Sequence, residues 1–168
     1  MAEDNGGETE QAQTGGEAQR QVGLQKIYIR DASIEVPDGP RVFTEEYNPE
    51  VNVDLNTQIQ SLSEETHQVI LTVTVTAKQG ERTAYIVEVQ QAGVFQIEGF
   101  SDADERDHVL GAYCPSILFP YIRESVGDMV QRAGFPHFLL QPVNFDLLYA
   151  QHRANENGAP SDASQATH

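Results

Sequence analysis

The sequence predicts an α+β fold: a four-stranded antiparallel sheet, a long kinked helix and a short C-terminal helix. Three observations carry this prediction. Over the first half of the chain, apolar residues alternate with polar ones, the period of a strand with one buried face. After Gly99 that alternation stops, and residues 109–122 are apolar almost without interruption. A run of strands followed by a run of helices puts the two kinds of element in separate layers.

Residues 26–36 read as the first strand, ended by Pro37-Asp38-Gly39-Pro40, a cluster that cannot continue a ladder. Val51, Val53 and Leu55 alternate with Asn52, Asp54 and Asn56 in the second. Val69, Leu71, Val73 and Val75 interleave with threonines in the third. After a Lys78-Gln79-Gly80-Glu81 turn, Tyr85, Val87 and Val89 alternate with Ile86, Glu88 and Gln90 in the fourth, so these two strands form an antiparallel hairpin. Ser101 and Asp104 are the expected caps of the long helix. Its segment 109–122 is apolar nearly all round, more than one sheet can cover, so one face is expected to meet another subunit. Pro115 and Pro120 are expected to kink or break it. Asn144, after Pro142, is the expected N-cap of the second helix, which carries Phe145, Leu147, Leu148 and Tyr149.

A chain of 168 residues fits one domain with a real core. Residues 1–22 and 155–168 have too little apolar surface to offset the entropy of ordering and are expected to be disordered, which leaves 23–154 as the domain. A net charge of −16, from 10 Lys+Arg against 26 Asp+Glu, cannot supply the basic surface that phosphate binding needs, so no nucleic-acid partner is expected. Cys114 is the single cysteine, which fits a reducing compartment. The opening Met-Ala-Glu-Asp has neither a basic start nor an apolar run, and the stretch 109–122 is shorter than the roughly 20 residues a bilayer requires. A cytoplasmic protein without membrane insertion is the expectation.

The sequence shows no constellation for catalysis or cofactor binding. His67, His108, His137, His152 and His168 never pair at helical ligand spacing with one another or with Cys114, so no metal is expected. Gly6-Gly7 and Gly15-Gly16 do not lie between a strand and a helix, so no phosphate-cradling loop and no nucleotide cofactor is expected. Cys114 and Ser116 read as buried structural residues rather than nucleophiles. Asp31 and Glu35, at i and i+4 of a strand, share a face as an acid/base pair could, and equally as ordinary solvated carboxylates do. An enzyme using such carboxylates is the remote alternative.

Several segments resemble one family in order and spacing. They are Gln25-Lys26-Ile27-Tyr28 with Asp31 and Glu35-Val36-Pro37, Pro49-Glu50-Val51, Val73-Thr74-Val75-Thr76-Ala77, Glu88-Val89-Gln90-Gln91-Ala92-Gly93-Val94-Phe95 and Pro142-Val143-Asn144-Phe145-Asp146. The most specific is Leu110-Gly111-Ala112-Tyr113-Cys114-Pro115-Ser116-Ile117-Leu118-Phe119-Pro120-Tyr121, which neither propensity nor patterning would generate. From about Leu24 to about His152 the chain resembles the SecB family of protein-export chaperones.

The resemblance implies a homotetramer, a dimer of dimers in which sheets flank a central layer of helices. It implies no cofactor and no nucleotide hydrolysis, and a protein that holds unfolded preproteins and passes them to the SecA translocation ATPase. Carried over by matching position, the client groove is Tyr47, Val51, Val53, Leu55, Leu148 and Tyr149, with Tyr47 where the family often has Trp. The SecA-binding face is Asp31, Glu35, Ile86 and Glu88, with an exposed Ile86 among carboxylates. Val87, Val89 and Gln91 match positions that govern tetramer assembly. A SecB-like chaperone dedicated to one non-export client, such as an antitoxin, stands as the alternative.

Overall fold

A computed structural model describes residues 19–158, so the expected disorder of 1–18 and 159–168 lies outside the described residues. Four strands form one antiparallel sheet in the order β1-β4-β3-β2: β1 (Gln21–Glu35), β2 (Glu50–Ser61), β3 (Thr66–Gln79) and β4 (Arg82–Glu98). The first strand starts at Gln21, opposite Glu98, and so takes in residues that composition assigned to the arm. Val22 explains the extension, because it packs against the buried core. β1 ends just before Val36-Pro37, where the proline removes a ladder donor.

The β3–β4 connection is tighter than its composition implies. Gln79 pairs with Arg82, leaving only Gly80 and Glu81 in the turn, and Gly80 takes the left-handed φ of 64° that such a turn demands. Between β1 and β2 the chain crosses the sheet by a loop containing a short 3-10 turn, Arg41–Phe43, anchored by the buried Val42.

After β4 the helix begins as α1 (Ala103–His108), passes through a π-helical segment (Val109–Tyr113) and continues as α2 (Cys114–Arg132). Its N-cap is Asp102, whose carboxylate accepts from the Asp104 amide at 3.0 Å, rather than Ser101 or Asp104. The helix is not broken at the prolines and runs ten residues beyond Ile122. Two local features accommodate them. The Cys114 amide donates to the Val109 carbonyl, five residues back, so the ladder is already widened where Pro115 has no donor to give. Pro120 deprives the Ser116 carbonyl of its donor, but both residues are exposed and water can replace it.

The helix lies on one face of the sheet. Val69, Leu71, Val73 and Val75 of β3 and Tyr85, Val87, Val89 and Phe95 of β4 are buried with Leu118, Ile122, Val126 and Val130 of α2. The helix is therefore less uniformly buried than its composition implies. Tyr113, Pro120 and Tyr121 are exposed on its far side, and Ser116, expected to be buried, is exposed with its hydroxyl donating to the Tyr113 carbonyl at 2.6 Å. Cys114 is buried, as expected. α3 (Phe145–Gly158) begins at its expected cap, where Asn144 Oδ1 accepts from the Leu147 amide at 3.0 Å, and it extends past residue 154.

Candidate functional site

The outer face of the sheet, away from the helices, is built by alternation. In register across the strands, Glu35 stands beside Ile86 and Thr76, Ser33 beside Glu88, Thr74 and Asp54, and Asp31 beside Gln90 and Thr72. Asp31, Glu35, Ile86 and Glu88 therefore share one face, within three neighbouring rows about 7 Å apart. Asp31 and Glu35 are exposed, while Glu88 is half-buried and accepts from the Thr74 hydroxyl at 3.0 Å. Ile86, expected to be exposed, is half-buried among these neighbours. Asp54 adds a carboxylate to the patch that sequence reasoning missed. The alternation of β2 contained the signal, since Asp54 must face opposite to Val53 and Leu55.

Val87, Val89 and Gln91 point the other way. Each is essentially without solvent contact, enclosed between the sheet and α2 of the same chain. Any influence they have on assembly must act through the position of α2, because no surface of theirs is open to a second subunit.

The third set follows the helix-facing side of β2. Val53 and Leu55 are half-buried against the core, and Val51, opposite Ala77, is exposed. Leu55, Leu148 and Tyr149 converge on one pocket of about 370 Å³, which Ile59, Gly111 and Phe145 also line. Tyr47 lies at the opposite end of the strand, in an aromatic cluster whose centre is Phe135: its ring is 5.5 Å from Tyr47, 5.0 Å from Phe43 and 4.7 Å from Tyr85. Burial raises the Tyr47 phenol, and burial together with the neighbouring Tyr47 raises that of Tyr85, so both rings stay neutral and apolar in character. The six residues thus form a line rather than one cluster. Val51 to Ile59 spans about 27 Å of strand, enough for an extended segment of eight or so residues.

Phe43 and Phe135 were missed in the sequence, because residues so far apart in the chain carry no joint pattern. Gly111 was also missed as a site residue. A Cβ there would stand 2.6 Å from the Tyr149 ring, so only glycine lets α3 lie this close to the π-helical segment. α3 is held from above by polar pairs: His108 Nε2 to Asp146 at 2.8 Å, and Arg153 Nη1 to Asp104 at 3.0 Å and to the Tyr149 hydroxyl at 3.1 Å. Leu147 and Leu148 remain 55% and 41% exposed, so α3 keeps apolar surface in water.

Among the described residues no group of three or more His, Cys, Asp or Glu could hold a metal ion, and no helix is long and apolar enough to cross a membrane. Burial pushes the Cys114 thiol up to about 12, which removes it as a nucleophile near neutrality.

Residues 15–156 match the family model described as preprotein translocase subunit SecB. A protein of Alkalilimnicola ehrlichii named protein-export protein SecB is 55% identical over 143 residues, covering 85% of this chain and 76% of its own. One of the same name from Halorhodospira halophila is 48% identical over 165 residues, covering 98% and 94%. Among solved structures, a SecB-like chaperone of Mycobacterium tuberculosis in complex with a ChAD peptide from an antitoxin superposes with a TM-score of 0.61 at 15% identity, covering 73% of this chain and 90% of that one. That likeness is one of fold. With the family model spanning most of the chain and relatives near half-identical across it, this chain belongs to the SecB family of export chaperones.

Proposed function

We propose that this chain holds unfolded preproteins in the cytoplasm along the helix-facing side of β2, keeps them competent for translocation, and delivers them to the SecA motor through the acidic outer face. The observation that carries the reading is the row of exposed and half-buried apolar groups on one side of β2, Val51, Val53 and Leu55, with Tyr47 and Phe43 at one end and Leu148 and Tyr149 at the other. β2 has a strand partner on one side only among the described residues, so its free edge offers backbone groups beside those apolar side chains. An unfolded chain presents apolar side chains and unpaired backbone, and a surface offering both needs no sequence motif in its client.

Holding needs no fuel. A binder of the unfolded state stabilises that state by mass action alone, and so removes chain from the folding equilibrium. Membership in a chaperone family implies a protein that is not an enzyme. In a dimer of dimers the exposed row of Tyr113 on the π-helical segment and Pro120 and Tyr121 on α2 would pack between subunits, and several grooves on one assembly would raise apparent affinity by avidity.

The test is refolding of a slow-folding precursor with the purified chain at up to one tetramer per client, with and without ATP. Delay independent of nucleotide is expected, weakened by Tyr149→Ala and by Val53→Asp. Delay that appears only with ATP sinks the mechanism. A second reading, a chaperone dedicated to one non-export client, is favoured by the antitoxin peptide bound to the M. tuberculosis structural neighbour. Polypeptides recovered with the chain from cytoplasm separate the two: many signal-bearing precursors support export, and one dominant client supports the second reading.

A further inference from the structure

The tip of the β3–β4 hairpin grips the loop that carries Phe43 and Tyr47. Arg82, the first residue of β4, donates through Nη1 to Asp38 Oδ2 at 2.6 Å and through Nη2 to Glu45. Asp38 precedes the 3-10 turn Arg41–Phe43 and Glu45 follows it, so one guanidinium closes the turn from both sides. Arg41 Nε adds a bond to Glu45 at 3.2 Å, and Gln79, across the hairpin turn, donates Nε2 to the Glu46 carbonyl at 2.6 Å. The bond from Arg82 is the main cause holding the Glu45 carboxyl below its usual range, against the opposing effect of burial. Arg82 and its two carboxylates are partly exposed, with side-chain exposures of 35%, 23% and 35%.

We propose that Arg82 is a positioning residue for client selection: by bridging Asp38 and Glu45 it holds Phe43 and Tyr47 seated on Phe135 before any client arrives, and so sets the preference of this end of the groove for segments with aromatic side chains. The inference rests on the holding function proposed above. A loop of some fourteen residues with no strand partner would otherwise have to be ordered at the moment of binding, and preforming it removes that entropic cost from the affinity. Only arginine suits the task, because its planar fork reaches two carboxylates at once and a lysine ammonium reaches one well. The pocket under α3 shares none of these groups, so the two ends of the groove respond separately.

The experiment titrates the full chain with two fluorescein-labelled nine-residue peptides of equal charge, one alternating Phe and Tyr with Ser, the other Leu and Val with Ser. Arg82→Gln is expected to weaken the aromatic peptide by about tenfold while leaving the aliphatic one within about twofold. Arg82→Lys, which keeps the charge and guards against a variant that fails to fold, is expected to give a smaller loss with the same selectivity. The losses from Arg82→Gln and Glu45→Gln should be non-additive in the double variant, since both break one bridge. The wild-type advantage should shrink at 1 M salt, where screening reaches about 3 Å. Unchanged aromatic affinity, equal loss for both peptides, or strict additivity overturns the proposal. A wild-type chain that binds neither peptide sinks the holding function itself; a wild-type chain that binds, matched by Arg82→Gln, sinks only the role of Arg82.

Discussion

Cys114 shows how one buried atom ties stability to pH. Its thiol sits where the π-helical segment passes into α2, without solvent contact, and burial raises it from an ordinary 9.0 to about 12. Between those values the unfolded chain has lost the proton and the folded chain retains it. The folded state then binds more protons, so stability falls as pH rises from about 9 towards 12 and is unaffected below. Tyr85 and Tyr47, raised in the same sense from an ordinary 10.0, steepen the fall from about pH 10 upward. Urea unfolding at stepped alkaline pH should show this decline, and Cys114→Ala should flatten its first part; a slope unchanged by that variant would show that the thiol is already exposed. The buried place of Cys114 was legible in the sequence because its flanking residues are apolar. The exposure of Ser116, two positions on, was not, since facing depends on where the helix meets the sheet.

α3 is seated on the π-helical segment Val109–Tyr113. Its attachments include the contact of Tyr149 over Gly111, the buried Phe145, and exposed ion pairs worth little individually. Gly111→Ala puts a methyl group 2.6 Å from the Tyr149 ring. Overpacking of that kind costs roughly 1–3 kcal/mol, more than the ~1 kcal/mol that alanine returns over glycine within a helix. Relief is cheaper by moving α3 than by disturbing the core under α2. The expected outcome is faster amide exchange over residues 145–155 and weaker holding of clients, with little change in the thermal midpoint; protection of α3 equal to wild type would show that Tyr149 repacks in place. The existence of α3 and its cap at Asn144 were readable from Pro142 and the amphipathic run. Its seat was not, because a glycine in an apolar helical run reads as a mere weakness until the ring that needs the space is seen.

For the whole molecule, the decisive property is that the two surfaces proposed for client and motor lie on opposite sides of one sheet. Asp31, Glu35 and Glu88 project from the outer face, and Val53, Leu55, Leu148 and Tyr149 lie on the side of the helices. The triple change Asp31→Lys, Glu35→Lys, Glu88→Lys replaces attraction with repulsion towards a basic partner, and for pairs desolvated on docking the loss reaches about 2–5 kcal/mol. Calorimetry with SecA should show binding abolished, while light scattering keeps a mass near four times 18.6 kDa and the delay of client refolding persists. Normal motor binding by the triple variant, or parallel loss of holding, would remove SecA from this face. Glu88 is the member whose reversal touches the fold, since it gives up the bond from Thr74.

The sequence by itself determined the α+β order, the facing of residues along β2, β3 and β4, and the family. Each of these is written in a local period of two residues or in a contiguous irregular run such as residues 110–121, and neither needs the rest of the chain to be interpreted. Only the tertiary structure decided that β1 pairs with β4 and β2 with β3 at opposite edges of the sheet, that Val87, Val89 and Gln91 are sealed beneath α2, and that the proposed groove is a line with an aromatic seat at one end and a pocket at the other. Phe43 meets Phe135, and Arg82 meets Asp38 and Glu45, across separations of 37 to 92 residues. Such contacts exist only once the sheet order brings distant turns to the same end, and no local period records them.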